Sequence, residues 1–145
     1  MGLDMYLSAR KYINKIDWDL VDRDSDSDTR YAVATTPEYR GIVSYAGLQD
    51  IQKDNDIYGA HVQVNCVYWR KVNAVHNWFV ENVQGNEDNC HEYYVSQEKL
   101  IELLDTCKDA YKKKDPQLIP PVEGFFFGGT DIDEYYWSGI KYTIK

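Results

Sequence analysis

The stretch GAHVQVNCVYWRKVNAVHNWFVENV, residues 59–83, changes from a strand pattern to a helix pattern. Up to Cys66, small or apolar residues occupy every second position, which is typical of a β-strand. From Trp69 onward the apolar residues recur at the spacing of a helix, and the main stripe consists of Val72, Val75, Phe79 and Val83. The stretch therefore predicts a strand followed at once by a helix that begins at Trp69.

The rest of the chain predicts further elements of both kinds. Apolar residues alternate with polar ones from Leu3 to Leu7, which indicates a strand. Pro37 opens a short helix, Ser96 caps a long helix that reaches about Lys113, and Thr130 with Asp133 three residues later predicts the start of a last helix.

The segment EGFFFG, residues 123–128, predicts a short buried strand. Together these patterns predict an α+β fold in one compact domain, residues 1–145, with a small sheet of about three strands packed with about three helices.

Charge and cysteine content restrict the classes of partner. The chain carries 24 acidic and 16 basic residues, a formal net charge of −8, which argues against nonspecific nucleic-acid binding and against an anionic membrane surface. Its three cysteines, Cys66, Cys90 and Cys107, lack the spacing of a zinc site or a complete disulfide framework. With no long apolar run and no signal segment, we expect a cytoplasmic protein without metal or cofactor.

Six aspartates lie between Asp17 and Asp28. A calcium loop built on Asp22, Asp24 and Asp26 would need glycine where Ser27 stands and glutamate where Val33 stands. The calcium pattern fails, and the segment at about 17–30 is predicted to be a mobile acidic loop.

A polar and aromatic strip at the start of the predicted central helix is the first candidate site. Arg70 can bind an anionic group through two hydrogen bonds, and Trp69 can stack on a ring. Donor side chains follow one and two turns later, at Asn73, His76 and Asn77. For His76 the alternative is a histidine at the margin of the core whose ring nitrogens are satisfied by neighbours.

The second candidate stretch is GFFFGGTDIDEYYW, residues 124–137, which contains six large aromatic residues. Phe127, Thr130, Tyr135 and Tyr136 are predicted to complete the ligand site. Glycines followed by Thr130 could offer backbone N–H groups to an anion, but a tight strand-to-helix turn is the favoured interpretation, and the neighbouring acids would repel phosphate.

No catalytic motif is present. His76 and Glu92 are the candidate acid and base of an enzyme, and a nucleophilic Cys90 with His76 or His91 is a further alternative.

Four blocks, MGLDMYL, YWRKVNAVHNWFVENVQ, EYYVSQEKLIELL and GFFFGGTDIDEYYW, cover most of the chain. In these blocks the chain resembles a family of small proteins encoded by tailed bacteriophages and prophages. The resemblance carries over no activity. It implies an accessory protein that acts in the host cytoplasm, where small acidic phage proteins commonly counteract host defences.

Three functional hypotheses follow. In the first, the protein binds and sequesters a small nucleotide-type signalling molecule in the aromatic and Arg-lined pocket, as a homo-oligomer whose subunits share that pocket. In the second, it inhibits a host defence nuclease by presenting an acidic, DNA-like surface. In the third, it is an enzyme that cleaves a nucleotide messenger.

Overall fold

The computed structural model describes residues 3–24, 26, 34–49, 58–123 and 129–145. Within these residues, four helices accompany a two-stranded antiparallel sheet, so the predicted α+β class is confirmed. The elements are β1 (Asp4–Asn14), α1 (Pro37–Tyr45), β2 (Gly59–Arg70), α2 (Asn73–Asn82), α3 (Gln97–Lys113) and α4 (Glu134–Thr143). The strand predicted from EGFFFG falls on residues 124–128, which lie outside the described residues.

The fold divides into two compact units: Met1–Tyr6 with Val67–Lys145, and Leu7–Cys66. Each unit includes part of both strands. The prediction of a single domain over residues 1–145 stays a prediction.

In the unit Leu7–Cys66, the chain after β1 pairs with the segment that precedes α1. Ile16 and Thr35 form an isolated antiparallel bridge. The Thr36 hydroxyl donates to the carbonyl of Asn14 at 2.8 Å and accepts the backbone N–H of Tyr39 at 3.3 Å, so it caps α1. Pro37 then occupies the first turn, where its missing N–H costs nothing.

The acidic segment of the same unit is described in part. Asp17 accepts the backbone N–H of Asp19 and caps a 3₁₀ turn, Trp18–Leu20. The carboxylate of Asp22 accepts the backbone N–H of Asp24 at 3.0 Å. These bonds give the aspartates local structural roles, while the predicted mobility of residues 17–30 stays a prediction.

In the other unit, the carboxyl end of β2 and helices α2, α3 and α4 share a core. Its buried side chains are Trp69, Ala74, Val75, Trp78, Phe79, Leu103, Cys107, Ala110, Ile119 and Ile140. Helix α3 begins after the Ser96 cap, as predicted, and packs against α4. Burying these side chains is the main term that stabilises the unit.

Two predicted helix starts are wrong. Trp69 and Arg70 belong to β2, and the strand pairing continues as far as Lys71, whose backbone N–H donates to Leu3 O at 2.7 Å. Lys71 then turns the chain with a φ of 57°, and α2 begins at Asn73. Helix α4 begins at Glu134 and not near Thr130, because the Asp133 carboxylate accepts the backbone N–H of Tyr136 at 2.9 Å and supplies the cap.

Candidate functional sites

Asn73, the first residue of α2, is bound to the backbone of the segment that precedes residue 124. Its Nδ2 donates to the carbonyl of Val122 at 2.7 Å, and its Oδ1 accepts the N–H of Val122 at 3.0 Å. The side chain is buried, so both ends of the amide are satisfied inside the protein.

His76 lies one turn later and is also buried. Its Nδ1 is 3.0 Å from the sulfur of Met5, and its Nε2 is 3.1 Å from Asp88 Oδ2. Both ring nitrogens therefore face protein atoms, which corresponds to the alternative of a histidine satisfied by neighbours. Asn77 is buried as well, and its amide donates to Glu81 Oε1 at 3.0 Å.

Trp69 and Arg70, neighbours at the end of β2, have opposite environments. The indole of Trp69 is 4% exposed, packs against Phe79 and donates its N–H to Thr143 Oγ1 at 2.9 Å. Arg70 is exposed. The two side chains point to opposite faces of the strand, so the structure does not bring them to one surface.

The exposed face of the strands near Arg70 carries two tyrosines that the sequence analysis did not select. The rings of Tyr6 and Tyr68 stack with their centroids 4.9 Å apart, and Tyr68 donates its hydroxyl to Asp4 Oδ1 at 2.6 Å. This hydrogen bond, followed by burial and the charge of Asp4, raises the pKa of Tyr68. The period of two that places Tyr68 and Arg70 on one face was readable in the sequence.

The predicted site residues near the carboxyl end are dispersed. Thr130 is exposed, and Tyr135 is 87% exposed on the outer side of α4. Tyr136 is half-buried and donates its hydroxyl to the carbonyl of Ile119 at 3.0 Å. Burial, with smaller contributions from Cys107 and Asp115, raises the pKa of Tyr136 to about 12. Phe127 lies outside the described residues.

The aromatic residues of α4 make contacts within the fold. Trp137 lies edge-on to Tyr136 and to Tyr111 of α3. The ammonium group of Lys114 is 3.8 Å from the ring centre of Tyr111 and 4.6 Å from that of Trp137. These cation–π contacts join the end of α3 to α4, so part of the aromatic density of residues 124–137 stabilises helix packing.

The candidate catalytic residues have contrasting environments. Glu92, Cys90 and His91 are exposed on the segment between α2 and α3, and Cys90 has a positive φ of 60°. Cys107, in contrast, is fully buried in α3, and burial raises the pKa of its thiol to about 12. Cys107 is therefore a core residue and not a nucleophile.

Two shallow depressions in the described surface contain none of the predicted ligand-binding residues. The one in the unit Leu7–Cys66 has a volume of about 390 Å³ and is lined by Lys11, Tyr12, Ile13, Asn14, Ile16, Asp17, Trp18, Asp19, Thr36 and Glu38. The other, of about 760 Å³, lies along α3 and is lined by Glu98, Ile101, Glu102, Asp105, Thr106, Lys108, Asp109 and Leu118.

The depression along α3 contains every acidic residue of that helix. At 100° per residue, these four side chains fall within an arc of about 60° and span about 16 Å along the axis. We call Glu98, Glu102, Asp105 and Asp109 the acidic stripe. The stripe was not among the predicted sites, although its spacing of i, i+4, i+7 and i+11 signals a single helix face in the sequence.

Two members of the acidic stripe are neutralised within the helix. Lys99 pairs with Glu102 and Lys113 pairs with Asp109, each at 2.7 Å, and the second pair lowers the pKa of Asp109. Glu98 and Asp105 have no ion pair within the described part of the chain. Beside them, Ile101 is 50% exposed and Leu118 is 40% exposed.

Within the described ranges, no group of three or more His, Cys, Asp or Glu side chains could hold a metal ion. No helix in this part of the chain is long and apolar enough to cross a membrane.

In comparisons with known proteins, no family model, no curated protein and no solved structure matches this chain. The resemblance to the bacteriophage family stays an expectation that rests on the four sequence blocks.

Proposed function

We propose that the protein acts by binding a basic surface of a partner protein through the acidic stripe of α3. The observation that carries the proposal is the alignment of four carboxylates on one helix face, next to the exposed side chains of Ile101 and Leu118. Two of these carboxylates have no ion pair with any residue that the structure describes. Clustered charge with an apolar centre favours a protein partner over a small molecule.

The spacing of the charges supports a DNA-binding protein as the partner. The acidic stripe presents one carboxylate about every 5 Å along the helix axis, compared with one phosphate per 3.4 Å along a single DNA strand. The net charge of −8 adds long-range attraction to a basic cleft. If the chain acts in a bacterial host, as its resemblance to phage proteins implies, the partner is a DNA-cleaving defence enzyme.

Affinity capture with competitive elution tests this function. Tagged protein is incubated with a bacterial lysate, and bound proteins are eluted with duplex DNA, which releases only partners that use a DNA-binding surface. We expect a nuclease in the DNA eluate, and we expect the purified protein to inhibit DNA cleavage by that nuclease. A DNA eluate without a nuclease, or a nuclease that the protein does not inhibit, would overturn the proposal.

The stacked pair Tyr6 and Tyr68 beside Arg70 favours a second candidate, binding of a small nucleotide on this exposed face. Aromatic rings stack on bases, and an arginine binds a phosphate through paired hydrogen bonds. Mass spectrometry of the supernatant from heat-denatured protein tests it directly. A recovered nucleotide should bind Arg70→Ala about 30-fold more weakly than wild type, equivalent to about 2 kcal/mol, while Lys71→Ala serves as the control. An empty supernatant removes this candidate.

A further inference from the structure

Strand β2 has an unusual edge. Residues 59–69 contain no acidic residue, no lysine or arginine, and no proline. Its neighbour β1 carries Arg10 and Lys11 in its central part. Proteins commonly protect exposed strand edges with charged residues or proline, which prevent a further strand from pairing there. Residues 59–69 of β2 have neither feature.

The central part of β2 is also accessible. All six side chains from His61 to Cys66 are exposed, and Val64 is 56% exposed and Val62 36%. In the described residues the sheet contains β1 and β2 alone, so β2 has a strand neighbour on one side. A two-stranded ribbon exposed in this way is only marginally stable by itself, and additional strands stabilise it.

The sequence of β2 matches itself in the antiparallel direction. When two copies are paired about an axis through Val64, that residue lies opposite Val64 of the second copy. Val62 then lies opposite Cys66, and Gln63 lies opposite Asn65. Within residues 62–66, each apposed pair is therefore apolar with apolar or amide with amide, and matched cross-strand pairs of this kind stabilise a sheet.

We propose that β2 is the interface of a two-fold symmetric dimer, in which two copies form a four-stranded sheet of order β1-β2-β2-β1. A second copy is favoured over another partner because residues 62–66 match themselves in the antiparallel direction. Two chains of net charge −8 repel each other over most of their surfaces, and β2 offers a matching stretch without charge at which they can approach. The two-fold arrangement is the commonest form of homo-oligomer.

The molar mass in solution, measured by light scattering during gel filtration at about 100 µM and moderate salt, tests the dimer. The wild type should give about twice the chain mass of 17.0 kDa. Val64→Lys places two like charges on the two-fold axis and should give the mass of one chain, with its circular dichroism spectrum unchanged because the side chain is exposed. The matched control is Ala9→Lys, an exposed β1 position, which should remain dimeric.

Raised salt should favour the wild-type dimer, because it screens the repulsion between the two acidic chains. A wild type that is monomeric under these conditions would overturn the proposal. A dimer that persists in Val64→Lys would also overturn it. So would a dimer that Ala9→Lys disrupts as strongly as Val64→Lys does. Since these variants leave α3 unchanged, the outcome is independent of the proposed partner-binding function.

Discussion

The side-chain amide of Asn73 holds both polar groups of the Val122 backbone, donating to the carbonyl at 2.7 Å and accepting the N–H at 3.0 Å. This pair of bonds joins the first turn of α2 to a segment 49 residues later in the chain. The residue was predicted to bind a ligand because it lies one turn after Trp69 and Arg70 in the predicted helix. In the structure, both of its hydrogen-bonding groups are committed to the fold.

We expect Asn73→Ala to lower the free energy of unfolding by about 2 kcal/mol, because it removes two hydrogen bonds and leaves the half-buried backbone groups of Val122 without these partners. Urea denaturation monitored by tryptophan fluorescence measures this change. The control is Asn82→Ala, which removes one bond, to the carbonyl of Trp78, and should cost less than about 1 kcal/mol. Equal small losses in the two variants would contradict a special role for Asn73.

A pair of Tyr→Phe variants should change stability in opposite directions. The hydroxyl of Tyr39 is fully buried and has no hydrogen-bond partner in the described part of the chain. Tyr39→Phe should therefore leave stability unchanged or raise it by about 1 kcal/mol, whereas Tyr136→Phe, which removes the bond to Ile119 O, should lower it by about 1 kcal/mol. Thermal unfolding of both variants decides this, and a destabilising Tyr39→Phe would show that its hydroxyl has a partner.

Stability should fall in alkali. Burial raises the pKa of Tyr136 and of Cys107 to about 12, above their ordinary values of about 10 and 9. The folded state thus keeps protons that the unfolded state releases, so their contribution to stability is complete below about pH 9 and is lost as the pH rises to about 12. Urea denaturation between pH 8 and 11.5 measures the decline.

Tyr136→Phe should make this alkaline decline shallower, since it removes one of the groups whose pKa is raised in the folded state. Tyr135→Phe, at an exposed neighbouring position, should match the wild type. A free energy of unfolding that stays constant up to pH 11.5 in the wild type would contradict the assignment of Tyr136 and Cys107 as buried neutral groups.

The periodicity of the sequence was sufficient to predict the α+β class, the first strand and the long helix after Ser96. It misplaced the start of α2 because Trp69 fits both patterns, alternating with Val67 in the strand and preceding Val72 at helical spacing. The turn that separates them is made by Lys71 with a positive φ, a conformation that lysine does not signal.

The candidate sites were harder to predict for a different reason. The partners of His76 come from residues 71 and 12 positions away, at Met5 and Asp88, and the chain offers no local pattern that announces such contacts. The acidic stripe, in contrast, depends only on spacing within one helix. That spacing was readable in the sequence, although the acidic residues considered there were the aspartates between residues 17 and 28.

The most direct test of the account compares inhibition of the captured nuclease by two variants with the same change of net charge, from −8 to −4. Glu98→Lys/Asp105→Lys reverses the two members of the acidic stripe that form no ion pair among the described residues. Asp22→Lys/Asp24→Lys reverses two exposed aspartates of the other unit. Melting temperatures confirm that both variants remain folded. The account predicts that the concentration needed for half-inhibition of DNA cleavage rises more than about 30-fold for the first variant and less than about threefold for the second. A 30-fold rise corresponds to the loss of about 2 kcal/mol expected for interfacial charges. Equal effects of the two variants would contradict a binding surface on α3.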